Sequence, residues 1–328
     1  MKALKKQVAL AMGATLLIAG PALAQEAGEF ELPAASDLLV LAFPKWLDET
    51  AGRVQTVKLS SGHPEWSGAA AEVLPASARK GKPRLVKRAA PAKAMPRTQS
   101  VIVEPAFVSR LGEKRYVLIA RLSKATADGM PESSHGMPVA LAAYTFETSK
   151  NGWKLVQRQE PLAYVGYESQ ADIQPLQLSA QRMGLSASYG SCWQGHCNEW
   201  LSLYEFGKDK VNPAPILELQ LNDSNAYSLP DCLGRLQEVV REFRGRIDGG
   251  YDEPDASHDC VALRGDWSVS TSAQQPGDIT VRYTGAVSEG GKHGVQTAAE
   301  VDQLLRLQYR NGKYLPVAGR SPIAKPWR

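Results

Sequence analysis

Asn-Gly occurs at Asn151-Gly152 and again at Asn311-Gly312, each time between runs rich in aromatic and branched residues. Asn and Gly together accept the left-handed dihedrals of a two-residue hairpin turn, so each pair predicts two antiparallel strands folded back on one another. Around the first lie "MPVALAAYTFETS" and "WKLVQRQ"; around the second, "LLRLQYR" and "KYLPVAG". From residue 100 onward the period of two continues. "SVIVEPAFVSRL" and "KRYVLIARLS" flank Gly112, further pairs surround Gln181-Arg182 and Gly207, and "DCVALRGDWSVST" and "GDITVRYTGAV" read as two more strands.

The class expected is mainly β, an antiparallel sandwich or irregular β-barrel. A β-propeller-like arrangement is the alternative, ranked lower because the hairpins do not recur at the 40–50 residues or so of a propeller blade. Two segments depart from the β pattern. A short N-terminal helix is expected in "ASDLLVLAF", capped by Ser36 or Asp37 and stopped before Pro44. A second helix candidate lies near 232–247, where Leu233, Leu236, Val239, Val240, Phe243 and Ile247 recur at helical spacing, although its second half also alternates as a strand would. "TAAEVDQLL", 297–305, is helix-prone or else simply leads into the last hairpin.

The chain opens with Lys2, Lys5 and Lys6, an apolar run from Val8 to Gly20, and Ala22-Leu23-Ala24 before Gln25. That three-part pattern is a secretory signal peptide, with cleavage expected after Ala24 and the periplasm as the expected compartment. The run is shorter than the roughly 20 apolar residues a membrane helix needs, so no transmembrane span is expected. The organisation read from the sequence is a signal peptide at 1–24, a partly helical segment at 25–77, a basic Ala/Pro-rich linker at 78–99 and a β-rich domain at 100–328.

Charge bounds the partners. The formal net charge is +4, and removing the three signal lysines leaves +1, which excludes a global field for nucleic acid. Eight basic residues from Arg79 to Arg97 carry no acid among them. Pro83, Pro91 and Pro96 with like-charge repulsion make this an extended tether, and anionic envelope surfaces are its candidate contact.

An exported chain is expected to pair its cysteines. Cys192 with Cys197 and Cys232 with Cys260 is the expected connectivity. Chain entropy assigns about 2 kcal/mol to the first loop and roughly 3–4 kcal/mol to the second. The C-x4-C spacing of "CWQGHC" departs from the C-x2-C of zinc sites and redox dithiols, so these sulfurs read as scaffold. The closed loop carries Trp193 and His196, candidate recognition residues.

Enzyme signatures are sparse. G-x-S-x-G, H-E-x-x-H, the P-loop and G-x-G-x-x-G do not occur, and Ser77-x-x-Lys80 lies in the basic tract, away from any packed helix start. The five histidines, His63, His135, His196, His258 and His293, read as surface-loop residues. The acidic stretch "DGGYDEPDASHDC" holds Asp252, Glu253 and Asp255, candidate ligands of a calcium ion, although its spacing is not that of an EF-hand.

These readings favour an exported, non-catalytic protein that binds an envelope protein or polysaccharide, of inhibitor, immunity or assembly-accessory type. An envelope hydrolase using carboxylates or a metal near Asp252–Asp259 is the first alternative. A small-ligand carrier is the second.

Overall fold

The structure is a computed structural model that describes residues 32–49, 52–60, 62–63, 65–67, 97–150, 152–193, 195–225, 246–247, 260–270, 274–290 and 296–323. It is mainly antiparallel β with one short helix, as the alternation predicts. Two sheets carry it. The first has five strands in chain order: β1 (Val54–Leu59), β2 (Arg97–Arg110), β3 (Arg115–Lys124), β4 (Val139–Ser149) and β5 (Gly152–Val165).

The second, curled into a half-barrel, has nine. They are β6 (Asp172–Ser179), β7 (Arg182–Trp193), β8 (His196–Glu205), β9 (Leu217–Ser224), β10 (Arg246–Ile247), β11 (Cys260–Val269), β12 (Ile279–Gly290), β13 (Gln296–Arg310) and β14 (Lys313–Ala318). Their spatial order is β10-β13-β12-β11-β9-β8-β7-β6, with β14 on the outer part of β13. Both Asn-Gly hairpins form, as β4–β5 and β13–β14. Two packed sheets replace the radial blades of the propeller alternative.

The helix α1 (Ala35–Ala42) follows Pro33, and its N-cap is Ala34 without a side-chain cap, so Ser36 and Asp37 sit inside the first turn instead of capping it. It ends where Phe43 N donates to Leu39 O, just before Pro44, which has no N–H to continue. Leu38, Leu39 and Ala42 are buried against sheet 1 with Phe43, Trp46 and Trp66.

The other face of sheet 1 packs on sheet 2. Val117, Ile119, Leu141 and Ala143 meet Leu185, Ala187, Tyr204 and Phe206 there, and Phe107 stacks on Phe206 at 6.4 Å between ring centroids. Gln159 of β5 bridges the layers by donating to Val211 O and accepting from Val211 N, at 2.9 and 3.1 Å. The concave side of sheet 2 encloses a third core around Leu201, Leu203, Val281, Tyr283 and Leu305. Its curl is closed by Tyr314 N donating to Ile216 O and by Gly277 N donating to Leu178 O.

Three segments resolve as strand. Residues 297–305 are strand, within β13, because their alternate residues Val301 and Leu305 are buried and the ladder with β12 runs through all nine positions. Of the candidate helix near 232–247, Arg246 and Ile247 are strand, paired with Thr297 and Gln296; the rest lies outside the described residues. Arg97–Gln99, grouped with the linker from sequence, open β2 and pair with β1, which builds the N-terminal segment into sheet 1.

Candidate functional site

Along β7 the odd residues Leu185 and Ala187 face sheet 1 and are fully buried. The same face continues past them to Tyr189, Ser191 and Trp193, where the two sheets no longer cover each other and the side chains reach solvent. Opposite them on β8 stand Trp200, Asn198 and His196. This end of the sheet–sheet layer is the candidate site.

Cys192 and Cys197 form the disulfide expected from sequence and close the β7–β8 hairpin. Trp193, at its tip, is 58% exposed. Its ring lies 4.4 Å from that of His135. Below it the rings of Tyr167, Tyr189 and Trp200 form a cluster, with Tyr167–Trp200 at 5.3 Å and Tyr189 stacked on Trp200 at 6.0 Å. Tyr189 Oη is 3.2 Å from Ser202 Oγ, and burial pushes its phenol above the usual tyrosine range. His196 pairs with Asp223 of β9 at 2.6 Å.

Two loops complete the site. One, between β3 and β4, carries His135; the other, the turn Tyr167–Gln170 between β5 and β6, carries Glu168. They brace one another: Ser169 N donates to Met137 O at 2.8 Å, Ser169 Oγ to Glu132 O at 2.8 Å and Ser133 Oγ to Glu168 O at 3.4 Å. Glu168 and Ser169 hold φ of 53° and 58°, a left-handed backbone uncommon for residues other than glycine.

His135 Nδ1 lies 2.9 Å from Glu168 Oε1, and His135 Nε2 lies 3.0 Å from Ser191 Oγ. A carboxylate only accepts, so in the neutral imidazole Nδ1 carries the proton and Nε2 is left to accept from the serine hydroxyl. Beside this array is a cleft of about 490 Å³ lined by Arg121, Ser169, Gln170, Asp172, Ser188 and Gly190, a mostly polar wall. Arg121 is also held at 3.6 Å from Glu104 across β2–β3.

The backbone beside Ser191 has a defined direction. Phe206 N donates to Met183 O, which sets Met183–Phe206 as a hydrogen-bonded pair and, by alternation, Gly190 and Cys192 as non-hydrogen-bonded positions toward β8. The 4.0 Å between the Cα atoms of Cys192 and Cys197 agrees. The N–H groups of Gly190 and Cys192 therefore point away from β8, to the edge where β6, whose pairing with β7 ends at Asp172–Ser188, no longer covers them.

Of the residues singled out from sequence, Trp193 and His196 belong to this end of the sheet. Cys260 is buried and disulfide-bonded, while Cys232 lies outside the described residues. Asp252, Glu253 and Asp255 also lie outside them, and among the described residues no cluster of three or more His, Cys, Asp or Glu could hold a metal ion. Tyr167, Tyr189, Trp200, His135, Glu168 and Ser191 had no sequence signal, since three separate segments deliver them. No protein-family model, curated protein or solved structure matches this chain.

Proposed function

We propose that this protein is exported and binds an envelope polysaccharide at the end of the sheet–sheet layer. One observation carries the reading: a tryptophan is exposed at the tip of a disulfide-closed hairpin, above a cluster of three further aromatic rings. Sugar rings present flat apolar faces edged by hydroxyls. Aromatic side chains cover such faces at low entropic cost, and a few polar groups fix orientation. Trp193 and Tyr167 supply the apolar part; Asn198, Asp172 and Arg121 supply donors and acceptors beside it. The disulfide holds Trp193 in place before a ligand arrives, which lowers the ordering cost of binding.

The test is co-sedimentation of the purified protein with insoluble envelope polysaccharide. Binding by the native protein and a loss of tenfold or so in Trp193→Ala is expected, the size of one aromatic hot spot. Equal retention of the two proteins, or retention that disappears on deleting residues 79–96, would assign binding elsewhere.

A further inference from the structure

We infer that Ser191, His135 and Glu168 form a nucleophilic triad that cleaves carboxylic esters at this site. The inference goes beyond binding, and it departs from the expectation of a non-catalytic protein.

Four observations converge on it. The two contacts, Ser191 Oγ to His135 Nε2 at 3.0 Å and His135 Nδ1 to Glu168 Oε1 at 2.9 Å, are within the reach that a nucleophile, its base and the group orienting that base require. The acceptor-only carboxylate selects the tautomer in which Nε2 can take the serine proton. Glu168 is held in an uncommon left-handed backbone by a turn that is itself pinned to the loop carrying His135, and such local strain gathers at functional sites. The amide directly after Ser191, that of Cys192, points to an edge that no strand among the described residues covers, next to the polar cleft. A donor in that sequence position relative to the nucleophile is what stabilises the oxyanion in serine hydrolases built on other folds.

The step balances with these groups and water alone. Ser191 Oγ attacks the ester carbonyl carbon and forms a C–O bond, while its proton moves to His135 Nε2. The tetrahedral oxyanion faces the Cys192 N–H. Its collapse breaks the bond to the alcohol oxygen, which leaves with the proton from His135. Water, deprotonated by the same nitrogen, then attacks the acyl-serine, and the carboxylic acid and the free hydroxyl of Ser191 are released. Glu168 is a positioning residue that also stabilises the imidazolium. The polar lining of the cleft, Arg121, Gln170, Asp172 and Ser188, suits a hydroxyl-rich alcohol portion, a detail that rests on the polysaccharide reading above.

The experiment uses the full exported chain with its disulfides intact. It is exposed to a fluorophosphonate probe, and the adduct is located by intact mass and peptide mapping. A single adduct on Ser191 is expected, absent in Ser191→Ala and His135→Ala. Hydrolysis of p-nitrophenyl acetate should fall by about 10²-fold or more in Ser191→Ala. Glu168→Gln should lower the rate and move the acid limb of its pH profile to lower pH, because the imidazolium loses its carboxylate; a purely structural role would leave the limb in place. The inference is overturned if folded native protein carries no adduct at Ser191, or if Ser191→Ala hydrolyses the ester as fast as the native chain. Both probes lack a sugar, so failure of polysaccharide binding leaves this result standing, and the reverse also holds.

Discussion

Trp46 does with a side chain what β1 does with its backbone. Val103 of β2 donates to Arg53 O, just before the start of β1, and its own carbonyl accepts from Trp46 Nε1 at 3.1 Å. The indole thus prolongs the ladder by one bond inside the core. Trp46→Phe keeps most of the ring but leaves Val103 O buried and unpaired on that side. It should cost about 1–3 kcal/mol in urea unfolding, whereas Trp193→Phe at the exposed tip should stay within about 0.5 kcal/mol. In the sequence the two tryptophans look alike, because whether an indole N–H finds a carbonyl depends on a strand 57 residues away. The same limit hid the triad. His135 is 56 residues from Ser191 and 33 from Glu168, and no spacing rule links them. Trp193 was legible because two cysteines mark its loop from within.

Among elements, glycines separate turns from contacts. Gly312, at φ +82° beside Asn311 at φ 51°, turns the β13–β14 hairpin, and nothing lies within 4 Å of where a Cβ would stand. Gly285 sits inside β12 at φ +136°, where a Cβ would fall 1.9 Å from Ala262 O on β11. Gly312→Ala should therefore cost only backbone strain, about 1–2 kcal/mol. Gly285→Ala should add roughly 1–3 kcal/mol of overpacking to that strain, and thermal unfolding of the two variants should rank them in this order. The first glycine announces itself through Asn-Gly; the second is invisible until β11 lies against it. Residues 297–305 show the converse. Their helix propensity is outweighed by the continuous pairing of β13 with β12, which leaves Leu304 exposed on the outer face.

At the scale of the molecule, buried phenols couple stability to pH. Burial raises Tyr164 and Tyr309 to about 12, and pushes Tyr144, Tyr189, Tyr204, Tyr283 and Tyr314 up as well. A raised acid pKa means the folded chain keeps protons that the unfolded chain gives up. The contribution is whole below the ordinary tyrosine value of about 10 and is lost as pH climbs through the folded values. Unfolding free energy measured by urea should fall steadily from about pH 10 to about 12, and a level profile there would contradict the burial described. Two packed layers were among the arrangements the alternation allowed, but the assignment of their faces was not readable in advance. β3 and β4 are buried on both faces, so they read as unbroken apolar runs that do not say which neighbour covers which side. Register supplies a last consequence. Leu59, where β1 ends, stands directly across from Arg97, where β2 begins. Both ends of the connection are therefore held at one ladder spacing by the β1–β2 pairing itself, and Trp66, packed in the sheet 1 core and donating to Pro138 O at 3.0 Å, ties the chain just after β1 to the far side of the same sheet.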